Sequence, residues 1–189
     1  MTAYRVVAQA IGIVAMFFYV VSFQHKEKKR VLIFHMISGI LYCVNYLMLG
    51  AYVGGIMNGI AVIRAAVYAY RERFRADRLV WLFGFCGVYA LSYVLTFTMF
   101  GKEPTPQNLL IELLPIIGMV VTTVGFRLHS ARAVRVVGMI NAPLWLIYNL
   151  INAAIGAVAG DLLSLGSIVV GMLRHDLPRE KNEQKTTDV

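Results

Sequence analysis

The run PLWLIYNLINAAIGAVAGDLLSLGSIVVGMLR, Pro143 to Arg174, decides the fold. It is apolar almost throughout, yet it carries Asn149, Asn152 and one acid, Asp161. A surface loop does not explain a carboxylate placed eighteen residues into an oily run that continues for a dozen more. A pair of membrane-spanning helices with one polar face does. Backbone groups in lipid must be satisfied within the segment, and polar side chains there turn toward protein or water.

The same reading extends outward over the chain. Of 189 residues, 59% are hydrophobic and 15% are charged, where an ordinary soluble domain carries about 25% charged residues. Apolar runs reach the roughly 17–25 residues that cross a bilayer as a helix. We expect an all-α integral membrane protein with seven spans, near 4–24, 31–49, 53–71, 79–99, 108–126, 134–152 and 155–173. The first run lacks a preceding basic region and a small-residue cleavage site, so it is expected to stay as the first span rather than leave as a signal peptide. Cys43 and Cys86 lie inside apolar runs, which predicts neither a disulfide framework nor a metal site.

Lysine and arginine fix the orientation. Four follow the first span (Lys26, Lys28, Lys29, Arg30) and four the third (Arg71, Arg73, Arg75, Arg78). Three follow the fifth (Arg127, Arg132, Arg135) and four lie at the end (Arg174, Arg179, Lys181, Lys185). The opposite side has only Arg5 and Lys102, and Arg64 lies within a span. The basic side is therefore expected in the cytoplasm and the N-terminus outside. The net charge of +8 follows from topology and anionic headgroups, with no call for nucleic acid. The polar stretch 175–189 is expected to be a disordered cytoplasmic tail. Arg64 is expected to snorkel to the cytoplasmic face or else to pair with an acid. Glu112 and its repeat mate Gln9 are expected near the outer end, at a solvated helix end in the first reading and as a gate in the second.

The chain also repeats itself. Shifting it by 103 residues pairs spans 1–3 with spans 5–7 without a gap. Twelve of sixty positions in 12–71 then match 115–174. Apolar composition alone supplies about half of that, so the pattern carries more weight: VSFQ (21–24) falls on VGFR (124–127), MISGILY (36–42) on MINAPLW (139–145), and Arg71 on Arg174. We expect two parallel triple-helix repeats, at 1–75 and 107–174, joined by a linker helix and loops at 76–106. Three spans are an odd number, and the linker restores a common orientation. Transporters with such repeats place the site between them near the midplane.

That symmetry gives Asp161 a mate, Asn58. Sixteen residues before each lies an aromatic, Tyr42 and Trp145, with a turn expected midway, near Gly50 and Ala153. Eight residues at 1.5 Å rise put all four about 12 Å below the outer face, near the centre of a roughly 30 Å core. Tyr42, Asn58, Trp145 and Asp161 are the expected substrate-binding residues. His35, Ser38, Tyr42 and Asn45 share one helical face. Asn141, Trp145, Asn149 and Asn152 trace a similar one, and Ser164 and Ser167 follow Asp161. The expected pathway is lined by His35, Ser38, Asn45, Asn141, Asn149 and Ser164. Hydrogen bonds that join helices account for Asn and Ser as well, at about 0.6 kcal/mol each and up to about 2. A central acid costs about 2.5–3.5 kcal/mol to insert, more than one such bond returns. No HExxH, Cys–His pair or Ser–His–Asp set is present, so no enzyme, metal or cofactor is expected.

These features resemble the SWEET and SemiSWEET sugar facilitators of the PQ-loop superfamily. AIGIVAMFFYVVSF (10–23) is similar to the opening helix of a SemiSWEET, and WLIYN (145–149) to their Trp-x-x-Tyr-Gly segment. The resemblance implies a 3+1+3 fold with a sugar pocket lined by the tryptophan of a second helix and the asparagine of a third. Trp145 and Asn58 match those in type, Tyr42 and Asp161 in position only. VSFQ, LGAYVGGIMNGIAVIR and PLWLIYN resemble markers of the YgjV-type bacterial inner-membrane family within that superfamily. The Pro-Gln motif that ends the first SWEET helix is missing; the positions read Ser22-Phe23-Gln24 and Gly125-Phe126-Arg127. An acid in place of the amide favours a cation, an amine or a proton-linked solute over a neutral sugar. The expected function is passage of a small polar solute, such as a sugar or an amine, through the bacterial inner membrane by alternating access. The alternative is a non-transporting scaffold or sensor that keeps the fold. The oligomeric state is left open.

Overall fold

A computed structural model of the chain describes residues 3–49, 52–99, 101–151 and 155–176. The described residues form eight helices and no strand: α1 (Ala3–Ser22), α2 (Lys28–Met48), α3 (Tyr52–Ala69), α4 (Arg71–Phe74), α5 (Leu79–Thr98), α6 (Pro106–Arg127), α7 (Ala131–Ile151) and α8 (Ile155–His175). Six of them are long and apolar enough to cross a membrane: α1, α2, α5, α6, α7 and α8. The apolar stretch of α3, Gly55–Ala69, is shorter. Six of the seven expected spans coincide with these six helices, and the expected span near 53–71 falls on the shorter α3. Gly50, Asn152, Ala153 and the tail beyond 176 lie outside the described residues.

Helix limits follow from local chemistry. Thr105 caps α6, its hydroxyl accepting from the Asn108 backbone N–H at 3.2 Å, with Pro106 at the first helical position, where its missing N–H costs nothing. Gly101 supplies the positive φ of 68° in the α5–α6 connection. Pro115 and Pro143 sit within α6 and α7, and both helices continue through them.

Neighbours in sequence are neighbours in space. α2 packs between α1 and α3, and α7 packs between α6 and α8. These two groups meet where α1 lies against α8, α3 against α6, and α2 against α7. α5 stands outside, against α6. Only 11% of its apolar span is buried, against 44% for α6, which is flanked on several sides. Large exposed apolar side chains, among them Val80, Phe83 and Leu110, cover the outside. In lipid such exposure carries no penalty, because hydrocarbon chains are as apolar as leucine.

A buried charge ties α5 to the rest. Arg64 on α3 is 8% exposed. Its Nη1 donates to the Tyr89 hydroxyl at 2.9 Å, the Met119 carbonyl at 3.2 Å and Thr123 Oγ1 at 3.4 Å. Its guanidinium lies 5.1 Å from the Phe126 ring centre. The expected snorkelling does not occur: acceptors within reach on α5 and α6 hold the group inside. Glu112 likewise departs from expectation. It is buried, ion-paired with Lys102 from the α5–α6 connection, and receives the Tyr148 hydroxyl at 3.4 Å. Here the connection folds back and brings a cation to the acid. Replacing Glu112 by alanine should lower the melting temperature of the purified protein by a few degrees, while Glu112→Gln, which still accepts from Tyr148, should lose less.

Candidate functional site

Between the two helix groups lies a cavity of about 590 Å³. Tyr42, Asn58, Trp145 and Asp161 all line it, and so do His35, Ser38, Asn45, Asn141, Asn149 and Ser164. The structure thus brings the ten residues singled out from the sequence onto one surface. Exposed Gln9 and Ile13 stand at its rim, and buried Arg64 and Phe126 at its floor.

The polar side chains divide by what they touch. Ser38 donates to the Ala15 carbonyl at 2.8 Å and Asn45 to the Ala8 carbonyl at 2.6 Å, so both join α2 to α1 while lining the wall. Ser164 turns back on the Gly160 carbonyl one turn earlier, at 2.8 Å. Asn149 Nδ2 donates to Asp161 Oδ2 at 2.8 Å, which fixes one carboxylate oxygen. Tyr42 pairs with Tyr46, ring centres 6.2 Å apart, and Trp145 with Tyr148 at 6.0 Å. His35 sits among rings, 4.9 Å from Tyr19, 5.2 Å from Phe23 and 5.4 Å from Phe126, and its buried Nε2 has no partner.

Two pairs of residues related by the 103-residue shift meet at corresponding places. Ser38 and Asn141 are mates under the 103-residue shift, as are Ala15 and Gly118. Ser38 meets Ala15, and Asn141 meets Gly118. The second site carries a larger amide and therefore needs the smaller residue opposite. A methyl on Gly118 would overlap the Asn141 amide and crowd the Trp145 indole. Gly118→Ala should cost about 1–3 kcal/mol of stability by overpacking, read as a lower melting temperature. Gly118→Ala with Asn141→Ser, which restores the pairing of the first repeat, should recover most of it.

At the end of the cavity where the basic loops gather, the helices interlock. The carbonyls of the mates Phe23 and Phe126 are each held from across the interface. Arg135 at the start of α7 reaches the Phe23 carbonyl at 3.4 Å and the His25 carbonyl at 3.0 Å. Lys28 at the start of α2 reaches the Phe126 carbonyl at 2.5 Å. Asp176 holds Arg135 by two bonds, from Nε at 2.8 Å and from Nη2 at 2.5 Å. Gln24 Nε2 donates to Ser167 Oγ and its carbonyl at 2.9 and 2.7 Å, Ser167 Oγ donates to the Val20 carbonyl at 2.5 Å, and His175 Nε2 lies 2.7 Å from the Gln24 carbonyl. Together these tie the end of α1 to α8 at the basic end.

Sequence reasoning missed Arg64, Tyr19, Tyr46 and Phe126 as lining residues. For Tyr46 the signal was present, since it is the repeat mate of Asn149. For Arg64 the signal was an unpaired charge within a span, which is by default a functional candidate.

A family model described as Imp-YgjV, bacterial inner membrane protein, matches residues 6–179. No curated protein and no solved structure matches. The chain belongs to that family of bacterial inner membrane proteins.

Proposed function

We propose that this Imp-YgjV family member passes a small polar solute across the bacterial inner membrane by alternating access. The observation that carries the reading is the cavity itself: polar and aromatic side chains from both helix groups converge on one space, closed at its basic end by the interlock around Phe23 and Phe126. A volume of about 590 Å³ falls in the range of small-molecule sites, about 300–1,000 Å³. A cavity of this size and polarity suits a solute rather than a scaffold, and counterflow separates a transporter from a sensor.

In this reading the helices form a SWEET-like 3+1+3 arrangement. α1–α3 and α6–α8 are parallel repeats, and α5 is the linker. The basic loops face the cytoplasm, the N-terminus faces outward, and the state described is open outward and shut inward. Tyr42 and Trp145 stack on the solute. Asn58 and Asp161 hydrogen-bond it, with Asn149 positioning the carboxylate. No chemistry on the solute is proposed.

Counterflow into proteoliposomes tests this, with radiolabelled glucose, putrescine and 6-aminohexanoate as probes. Uptake of one or more above empty liposomes is expected. It should fall about tenfold or more in Asp161→Ala and in Asn58→Ala, the loss of one charge-assisted bond being worth about 1.5–3 kcal/mol. Flux of none of the three, or flux untouched by both substitutions, would overturn the reading.

A further inference from the structure

The cavity is lined by one arginine and one aspartate with no ion pair between them. Arg64 and Asp161 both line it, and among the described residues no ion pair joins Arg64 to any carboxylate. Arg64 is more than nine-tenths buried, and its described bonds all run from Nη1 to uncharged acceptors. Its Nε is buried without a partner, as are His35 Nε2 and Asn141 Oδ1 of other helices that line the cavity. A guanidinium offers five donors in a fixed fork suited to a carboxylate. Unused donors on a membrane-buried cation are costly to maintain unless something fills them.

The parallel-repeat reading puts Asp161 level with its mate Asn58, and Arg64 lies six residues further along α3, about 9 Å at helical rise, so on that reading the two charged groups stand at different depths. We propose that the solute is a zwitterion of extended shape, its carboxylate on Arg64 at the floor and its ammonium on Asp161 and Asn58 above. This rests on the transport reading and names its substrate class. One Arg and one Asp facing the cavity match a solute with one charge of each sign. Sugars would leave the fork unfilled, and diamines would meet the guanidinium as a like charge.

The test is equilibrium binding to the purified full-length protein in nanodiscs, by calorimetry. The probes are alanine, 4-aminobutyrate, 6-aminohexanoate, hexylamine, hexanoate and glucose. Affinity should rise with separation of the charged groups, with 6-aminohexanoate at least tenfold tighter than alanine, hexylamine or hexanoate. Arg64→Gln should erase the advantage over hexylamine, Asp161→Asn should erase the advantage over hexanoate, and Arg64→Lys should keep part of the first. The wild-type series decides the matter even if a variant does not fold. Tighter binding of glucose, hexylamine or hexanoate would overturn the zwitterion proposal. If that same probe lost its binding in Asp161→Ala, the transport reading would survive. Binding of no probe would also overturn the proposal, whereas 6-aminohexanoate binding without counterflow would sink transport alone.

Discussion

Replacing Arg135 by methionine is expected to destabilise the protein by about 3–5 kcal/mol, because Asp176 would remain buried without its counter-ion. The side chains of the pair are 2% and 7% exposed, so water does not screen them. The loss also frees the Phe23 and His25 carbonyls, where α1 ends. A melting curve in detergent should show a drop of several degrees. Arg135→Met with Asp176→Leu removes both charges and should recover most of the lost stability, since a well-packed apolar pair often equals a buried ion pair. The double variant would still lack the hold on α1. In it the basic end should open more readily even though the fold is stable. Equal melting of the single and double variants would show that the pair is not coupled.

Phe126→Ala carries the second large effect. The ring is 1% exposed, faces the Arg64 guanidinium at 5.1 Å and meets His35 at 5.4 Å. Truncating a buried phenylalanine costs about 3–5 kcal/mol in soluble cores. Between membrane helices the lost packing has the same sign with less hydrophobic drive, so about 2–3 kcal/mol is expected. The functional effect is larger. Without the ring the floor of the cavity opens toward the basic loops, and proteoliposomes should become leaky to the transported solute rather than slower. Phe126→Leu, which keeps most of the bulk, should remain tight.

The sequence announced the helices because a bilayer permits few alternatives: an apolar run of bilayer length has to be a helix. It announced most of the cavity wall because the repeat aligned Asn58 with Asp161 and Tyr42 with Trp145. What it hid depends on distances across helices that are far apart in the chain. Arg64 finds Tyr89 and Thr123 on helices 25 and 59 residues away, and no local pattern forecasts those partners. Glu112 meets Lys102 through a connection whose path only the fold reveals. Arg135 looks like one more topogenic cation until Asp176 and the end of α1 close around it. Just past the end of α1, Gln24 meets Ser167 of α8 and the Phe23 carbonyl meets Arg135 of α7, so the hold there rests on side chains from α7 and α8.

Alternating access requires a solute cavity reached from one side of the membrane and shut at the other. Ala61 lines it and carries no polar contact. In a protein with Cys43→Ala and Cys86→Ala, Ala61→Cys is exposed to a membrane-impermeant maleimide in right-side-out and in inverted inner-membrane vesicles. We expect fast labelling in right-side-out vesicles and slow labelling in inverted ones, with Phe126→Ala raising the inverted rate at least tenfold. Slow labelling in both, or inverted labelling unchanged by Phe126→Ala, would contradict it.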